Sequence, residues 1–192
     1  MHINDRGTDR AVQTPTTPAR RDQRFSAQTS LRDVMSRFAT GVTVLTAGGE
    51  YGHGMTANAF NSVSLEPPLV MCCVSRTARM HESITSAGSF AVSILADEQR
   101  DLARYFADRG RPRGLAQFDG VDCRRGPHTD APLLEGSLAW LECELVDVYG
   151  GGDHSIFLGE VLSSIRGNDS RALLFCGGQY HLIDAPDRRS AL

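Results

Sequence analysis

The sequence predicts a mainly β protein: an antiparallel barrel with peripheral helices at its ends. Short strand-like runs dominate the chain, punctuated by Gly48-Gly49, Pro67-Pro68 and Gly177-Gly178. Helical periodicity is sparse and does not alternate regularly with those runs, which argues against a doubly wound parallel sheet. No Gly-x-Gly-x-x-Gly follows a strand-like run, so the Rossmann fingerprint is missing.

The elements follow in order. Residues 1–28 are rich in Thr, Pro, Arg and Asp. They bury too little apolar surface to offset ordering entropy and are expected to form a flexible arm. One domain spans residues 29–183. It opens with a helix, because Ser30 and Asp33 have capping-box spacing and Leu31, Val34, Met35 and Phe38 share one face. Gly41 is expected to end it. Strands are expected at Val42–Ala47, Met55–Ala57, Leu69–Val74 and Phe90–Leu95. A second amphipathic helix covers Glu98–Phe106, with Leu102, Ala103 and Phe106 inward. Two long runs, Leu138–Val148 and Ser155–Ile165, flank Gly150-Gly151-Gly152, and Trp140 is expected in the core. A last strand covers Ala172–Cys176. Residues 184–192, with Pro186, Arg188 and Arg189, form a second flexible tail.

Composition excludes several function classes. At 192 residues and 41% hydrophobic, the chain can bury a core. Its longest apolar runs are short, and a spanning helix needs about 20 residues, so no membrane partner is expected. The net charge is −3 and the basic residues are scattered, which speaks against nucleic acid. Five cysteines without a Cys-x-x-Cys pair suggest reduced thiols rather than a disulfide framework or metal site. Met1–Arg24 is polar, unlike a secretory signal, so a cytoplasmic location is expected.

Three segments can carry chemistry. Gly52–Ser64 packs small residues, hydroxyls and Asn58 between strands. Small side chains let a flat ligand approach the backbone, although such loops also serve as plain turns. Cys73–His81 runs from a strand into a helix start beside Arg76 and Arg79, a natural phosphate site or else two solvated arginines. Gly150–His154 sets Asp153 beside His154, where the acid can orient the imidazole or merely decorate a hairpin tip. His53, His81, His128 and His181 lack metal-ligand spacing and read as surface or packed histidines.

Several motifs in order resemble one family. They are Phe38–Thr46, Gly54–Phe60, Ser62–Val70, Gly152–Val161 and Gly178–His181. Together, over residues 30–183, they resemble the short-chain flavin reductases of two-component monooxygenases, including those of actinobacterial natural-product and enediyne pathways. The resemblance implies an FMN-binding split β-barrel, a homodimer, and NADH-dependent reduction of FAD or FMN. The reduced flavin would serve a separate oxygenase. It also implies that Thr56, Ala57, Asn58 and Ala59 line the flavin and that Ser62, Val63 and Ser64 hold its ring edge or ribityl chain. Cys73, Val74 and Ser75 would touch it from the next strand, and Arg79 would reach its phosphate. Asp153 and His154 would stand at the nicotinamide, with His154 the residue nearest the chemistry. Thr77 departs from relatives that carry Lys there. The rival readings are an FMN-dependent oxidase on the same barrel and a non-catalytic flavin-binding electron carrier.

Overall fold

A computed structural model describes residues 30–182; both expected flexible tails lie outside the described residues. The elements are α1 (Leu31–Met35), β1 (Thr40–Gly41), β2 (Thr43–Ala47), β3 (His53–Ala57), β4 (Phe60–Leu65), β5 (Pro68–Ser75), α2 (Arg79–Ala87), β6 (Ser89–Ile94), α3 (Arg100–Ala107), β7 (Cys123–Arg125), β8 (Pro132–Leu134), β9 (Ala139–Gly151), β10 (His154–Arg166), β11 (Leu173–Cys176) and β12 (Gln179–Leu182). Seven strands form one antiparallel sheet in the order β3-β2-β6-β9-β10-β5-β4. β1, β11 and β12 form a second sheet, and β7 pairs with β8. The large sheet stays open, and its two edge strands, β3 and β4, are consecutive in the chain.

Two clusters pack against opposite faces of the sheet, since Leu45 and the adjacent Val44 of β2 fall one in each. α2 sets Met80 and Ile84 against Leu45, Val70, Cys72, Val74, Phe90 and Phe157. α3 sets Ala103 and Phe106 against Val42, Val44, Leu95, Phe118 and Leu173. Trp140 is buried as expected, its Nε1–H donating to the Leu134 carbonyl at 2.7 Å. Burial pushes the Cys72 and Cys143 thiols up to about 12, which keeps them inert. Glu142 is 1% exposed. Its carboxylate accepts from the His128 and Thr129 N–H groups and the Thr129 and Ser163 hydroxyls, at 2.9–3.0 Å. Burial alone would raise its pKa, yet these four donors hold it below the ordinary carboxylate value.

The structure departs from the sequence reading at three segments. The capping box at Ser30 forms, but α1 ends at Met35, and Gly41 lies in β1. The apolar face of α1 does not enter the core: Leu31, Val34, Met35 and Phe38 are all exposed. Gly52–Ser64 is mostly strand, β3 and β4 joined by Asn58-Ala59. Gly150 and Gly151 belong to β9, and only Gly152, at φ 72°, takes the left-handed turn conformation that favours glycine. Among the described residues, no helix is long and apolar enough to cross a membrane.

Candidate functional site

A cleft of about 530 Å³ opens between β3 with the loop after α3 on one side and the ends of β5 and β10 on the other. Strand alternation builds its second wall. Along β5, Val70, Cys72 and Val74 point to the core, so Cys73 and Ser75 face the opposite way and line the cleft. His154 pairs with Ser75 across β5 and β10 and lines the cleft beside it. The hairpin turn is fixed because the Arg76 N–H donates to the Asp153 carbonyl at 3.0 Å.

His154 Nδ1 lies 2.8 Å from Asp153 Oδ1. A carboxylate only accepts, so Nδ1 carries the proton and Nε2 is left for a ligand. The hydrogen bond and charge of His154 hold the Asp153 carboxyl below its ordinary value. Behind them, His81 Nε2 meets Ser155 Oγ at 2.8 Å and the His81 ring stands edge-on to Phe157, which ties α2 to the start of β10.

The first wall depends on close approach. A Cβ at Gly54 would lie 2.6 Å from the Phe106 ring, so only glycine lets α3 pack against β3. Thr56 Oγ1 donates to the Ala103 carbonyl at 2.7 Å and fixes the same contact. Beyond α3, Arg111 folds back onto β3. Its guanidinium donates to the Gly54 and Asp108 carbonyls, and its Nε–H donates to Gln117 Oε1 at 3.1 Å. Gln117 is fully buried and also touches His53 Nδ1 at 3.1 Å.

Charge is uneven around the cleft. Arg79, Arg109 and Arg111 line it, and no Asp or Glu does among the described residues. Arg79 opens α2, whose N-terminus has no side-chain cap because Ala78 precedes it. Burial, then the charges of Arg111 and Arg79, push the His53 imidazole down to about 4.

Of the residues singled out from sequence, Thr56, Ala57, Asn58, Ala59, Cys73, Ser75, Arg79 and His154 converge on this cleft. Ser62, Val63 and Ser64 lie on β4 outside its lining. The Val74 side chain is 1% exposed and turns into the core, because its neighbours Cys73 and Ser75 take the other face of β5. Asp153 is exposed and reaches the cleft only through His154. From sequence, His53 reads only as a surface or packed histidine, and Arg109 and Arg111 are not singled out. The one available signal was the density of arginines at Arg109, Arg111 and Arg113 just past an amphipathic helix.

Residues 35–184 match a family model described as a flavin reductase like domain. The chain is 49% identical over 163 residues to an NADH-dependent FAD reductase from Streptomyces globisporus, covering 84% of this chain and 90% of that one. The structure resembles BorF, the flavin reductase component of a bacterial two-component tryptophan halogenase, with a TM-score of 0.78 and 49% identity over 81% of this chain and 97% of that one. It also resembles the Streptomyces globisporus NADH:FAD oxidoreductase SgcE6 in complex with NAD and FAD fragments, with a TM-score of 0.76 and 48% identity over 82% and 93% of the two chains.

Proposed function

The chain belongs to the flavin reductase-like family, and from that premise we infer that it is an NADH-dependent flavin reductase supplying reduced FAD or FMN to a separate flavin-dependent monooxygenase, of the kind natural-product pathways use. The observation that carries this reading is one cleft combining a strip of small polar residues, an aspartate-oriented histidine and three arginines, with no carboxylate in its lining among the described residues.

The residues present fit both ligands. Thr56–Ala59, Cys73 and Ser75 offer a wall of small side chains against which a flat ring can lie near the backbone. Arg79, at an uncapped helix start, suits a flavin phosphate. His154, held by Asp153, suits the nicotinamide carboxamide, which can donate to Nε2. The nicotinamide supplies a hydride and the flavin accepts it. The protein's part is to stack the two rings and exclude water, so no side chain has to act as nucleophile, acid or base.

A homodimer accompanies this reading. The β9–β10 hairpin exposes Val146, Val148 and Tyr149 toward its turn and Leu162 and Ile165 toward its far end. With the bare face of α1, these exposed side chains are the apolar surface that a second copy would cover.

Purified protein should oxidise NADH rapidly only when FAD or FMN is added. His154→Ala should raise the nicotinamide KM roughly two- to tenfold, the loss of one neutral hydrogen bond, and change kcat less. Absence of flavin-dependent NADH oxidation would overturn the function. Tightly bound FMN without that activity would favour the oxidase reading, and flavin binding without hydride transfer the carrier. An unchanged nicotinamide KM would remove His154 from its role.

A further inference from the structure

The environment of His53 points to an acceptor that none of the described residues supplies. The side chain is 8% exposed, yet it lines the cleft. Its tautomer follows from Gln117. Gln117 Oε1 accepts from the Gly54 N–H at 2.9 Å and from Arg111 Nε–H at 3.1 Å. The Gln117 amide nitrogen must therefore be the donor to the Gly114 carbonyl at 2.6 Å and to His53 Nδ1 at 3.1 Å. Nδ1 accepts, so the proton of the neutral ring sits on Nε2. The nearest polar neighbour of Nε2 is Arg111 Nη2 at 3.3 Å, which is also a donor. Two donors face each other, and neither satisfies the other.

An oxygen acceptor between them would satisfy both, and an anionic one would also neutralise the guanidinium. Arg109 lines the same cleft. Neither it nor Arg79 has a carboxylate within ion-pair distance among the described residues. Three cationic side chains line one cleft that no carboxylate lines among the described residues, more positive charge than the single phosphate of FMN requires. FAD and NADH each carry two linked phosphates.

We infer that His53, Arg109 and Arg111 form a second anion subsite, which takes the diphosphate of a dinucleotide and leaves the mononucleotide's phosphate to Arg79. The inference rests on the flavin reductase reading and adds to it a basis for preferring FAD over FMN, or for holding NADH. Gln117 is a positioning residue, which fixes the His53 donor toward the cleft. Burial and the neighbouring arginines keep His53 neutral, so Nδ1 remains an acceptor for Gln117 and the ring proton stays on Nε2.

The test is equilibrium titration of wild type, Arg109→Ala, His53→Phe and Arg79→Ala with FAD, FMN, NADH and reduced nicotinamide mononucleotide. Arg109→Ala should weaken at least one dinucleotide about tenfold or more and leave FMN and the nicotinamide mononucleotide within about twofold. A loss confined to FAD assigns the subsite to the flavin, and one confined to NADH assigns it to the nicotinamide. His53→Phe, which keeps a ring but no donor, should show the same selectivity. Arg109 is exposed, so its variant carries the test even if His53→Phe does not fold. Arg79→Ala should weaken FMN and FAD alike. Equal losses of FMN and FAD in Arg109→Ala, or no loss of either dinucleotide, would overturn the subsite while leaving an active wild type as a flavin reductase. A wild type that neither binds a flavin nor oxidises NADH with one would overturn both.

Discussion

Gln117 touches no cleft surface, yet it decides what His53 can offer there. Burial, then the charges of Arg111 and Arg79, leave His53 unwilling to take a proton, which gives a pH prediction. The folded ring titrates at about 4, while a free histidine titrates near 6.5. Between those values the unfolded chain binds a proton that the folded chain refuses. The contribution of His53 is therefore fully present above pH 6.5 and is lost as pH falls toward 4. Urea midpoints of wild type should drop across that window more steeply than those of His53→Phe; parallel profiles would contradict the assignment. Sequence reading reached this residue only as a packed or surface histidine. Its partner lies 64 positions away, and no local pattern announces such a contact. The contiguous cleft residues, Thr56–Ala59, Ser75, Arg79 and His154, were legible because small residues, a strand-to-helix junction and an Asp-His pair are local signals. Val74 was misplaced because adjacent residues of a strand face opposite ways, which a motif read as a block conceals.

Elements differ in how far local sequence determines them. The β9–β10 pair and α3 were legible from apolar runs and helical spacing, and both extend about as expected. β7, β8 and β12 were missed, being strands of three or four residues with little periodicity to read. α1 carries the clearest amphipathic signal at the N-terminal end, but it buries none of its residues in this chain. Periodicity states that a face is apolar without stating what covers it. The homodimer proposed above makes a second copy the cover, for α1 or for the exposed hairpin. Val148→Asp or Leu162→Asp should then weaken self-association at least tenfold, since burying such side chains is worth about 1.5–3 kcal/mol each and a charge adds a desolvation penalty. Sedimentation equilibrium measures this; a wild type that stays monomeric at tens of micromolar would refute the dimer.

At the scale of the whole molecule, a single cleft holds all the chemistry read here, and it already has to accommodate two ligands. A smaller recess near Gly48 and Asp130 is lined by different elements. As the flavin reductase reading requires, reduced flavin is expected to leave and react elsewhere. A partner monooxygenase held behind a membrane permeable to flavin but not to protein should still turn over, at reduced efficiency. Loss of turnover while NADH oxidation continues, with catalase present, would show that direct contact is required.

The contact between Gly54 and Phe106 has a bearing on what mutation can do to this chain. Gly54 meets the buried ring on one side, and its carbonyl receives Arg111 on the other. A single added methyl group would have to displace α3, and the loop carrying Arg109 and Arg111 would move with it. Selection for ligand binding therefore reaches back into the core at this position. A lineage free to vary its oxygenase, its flavin or its surface would still be unable to drift at Gly54 without first remodelling the helix beside it.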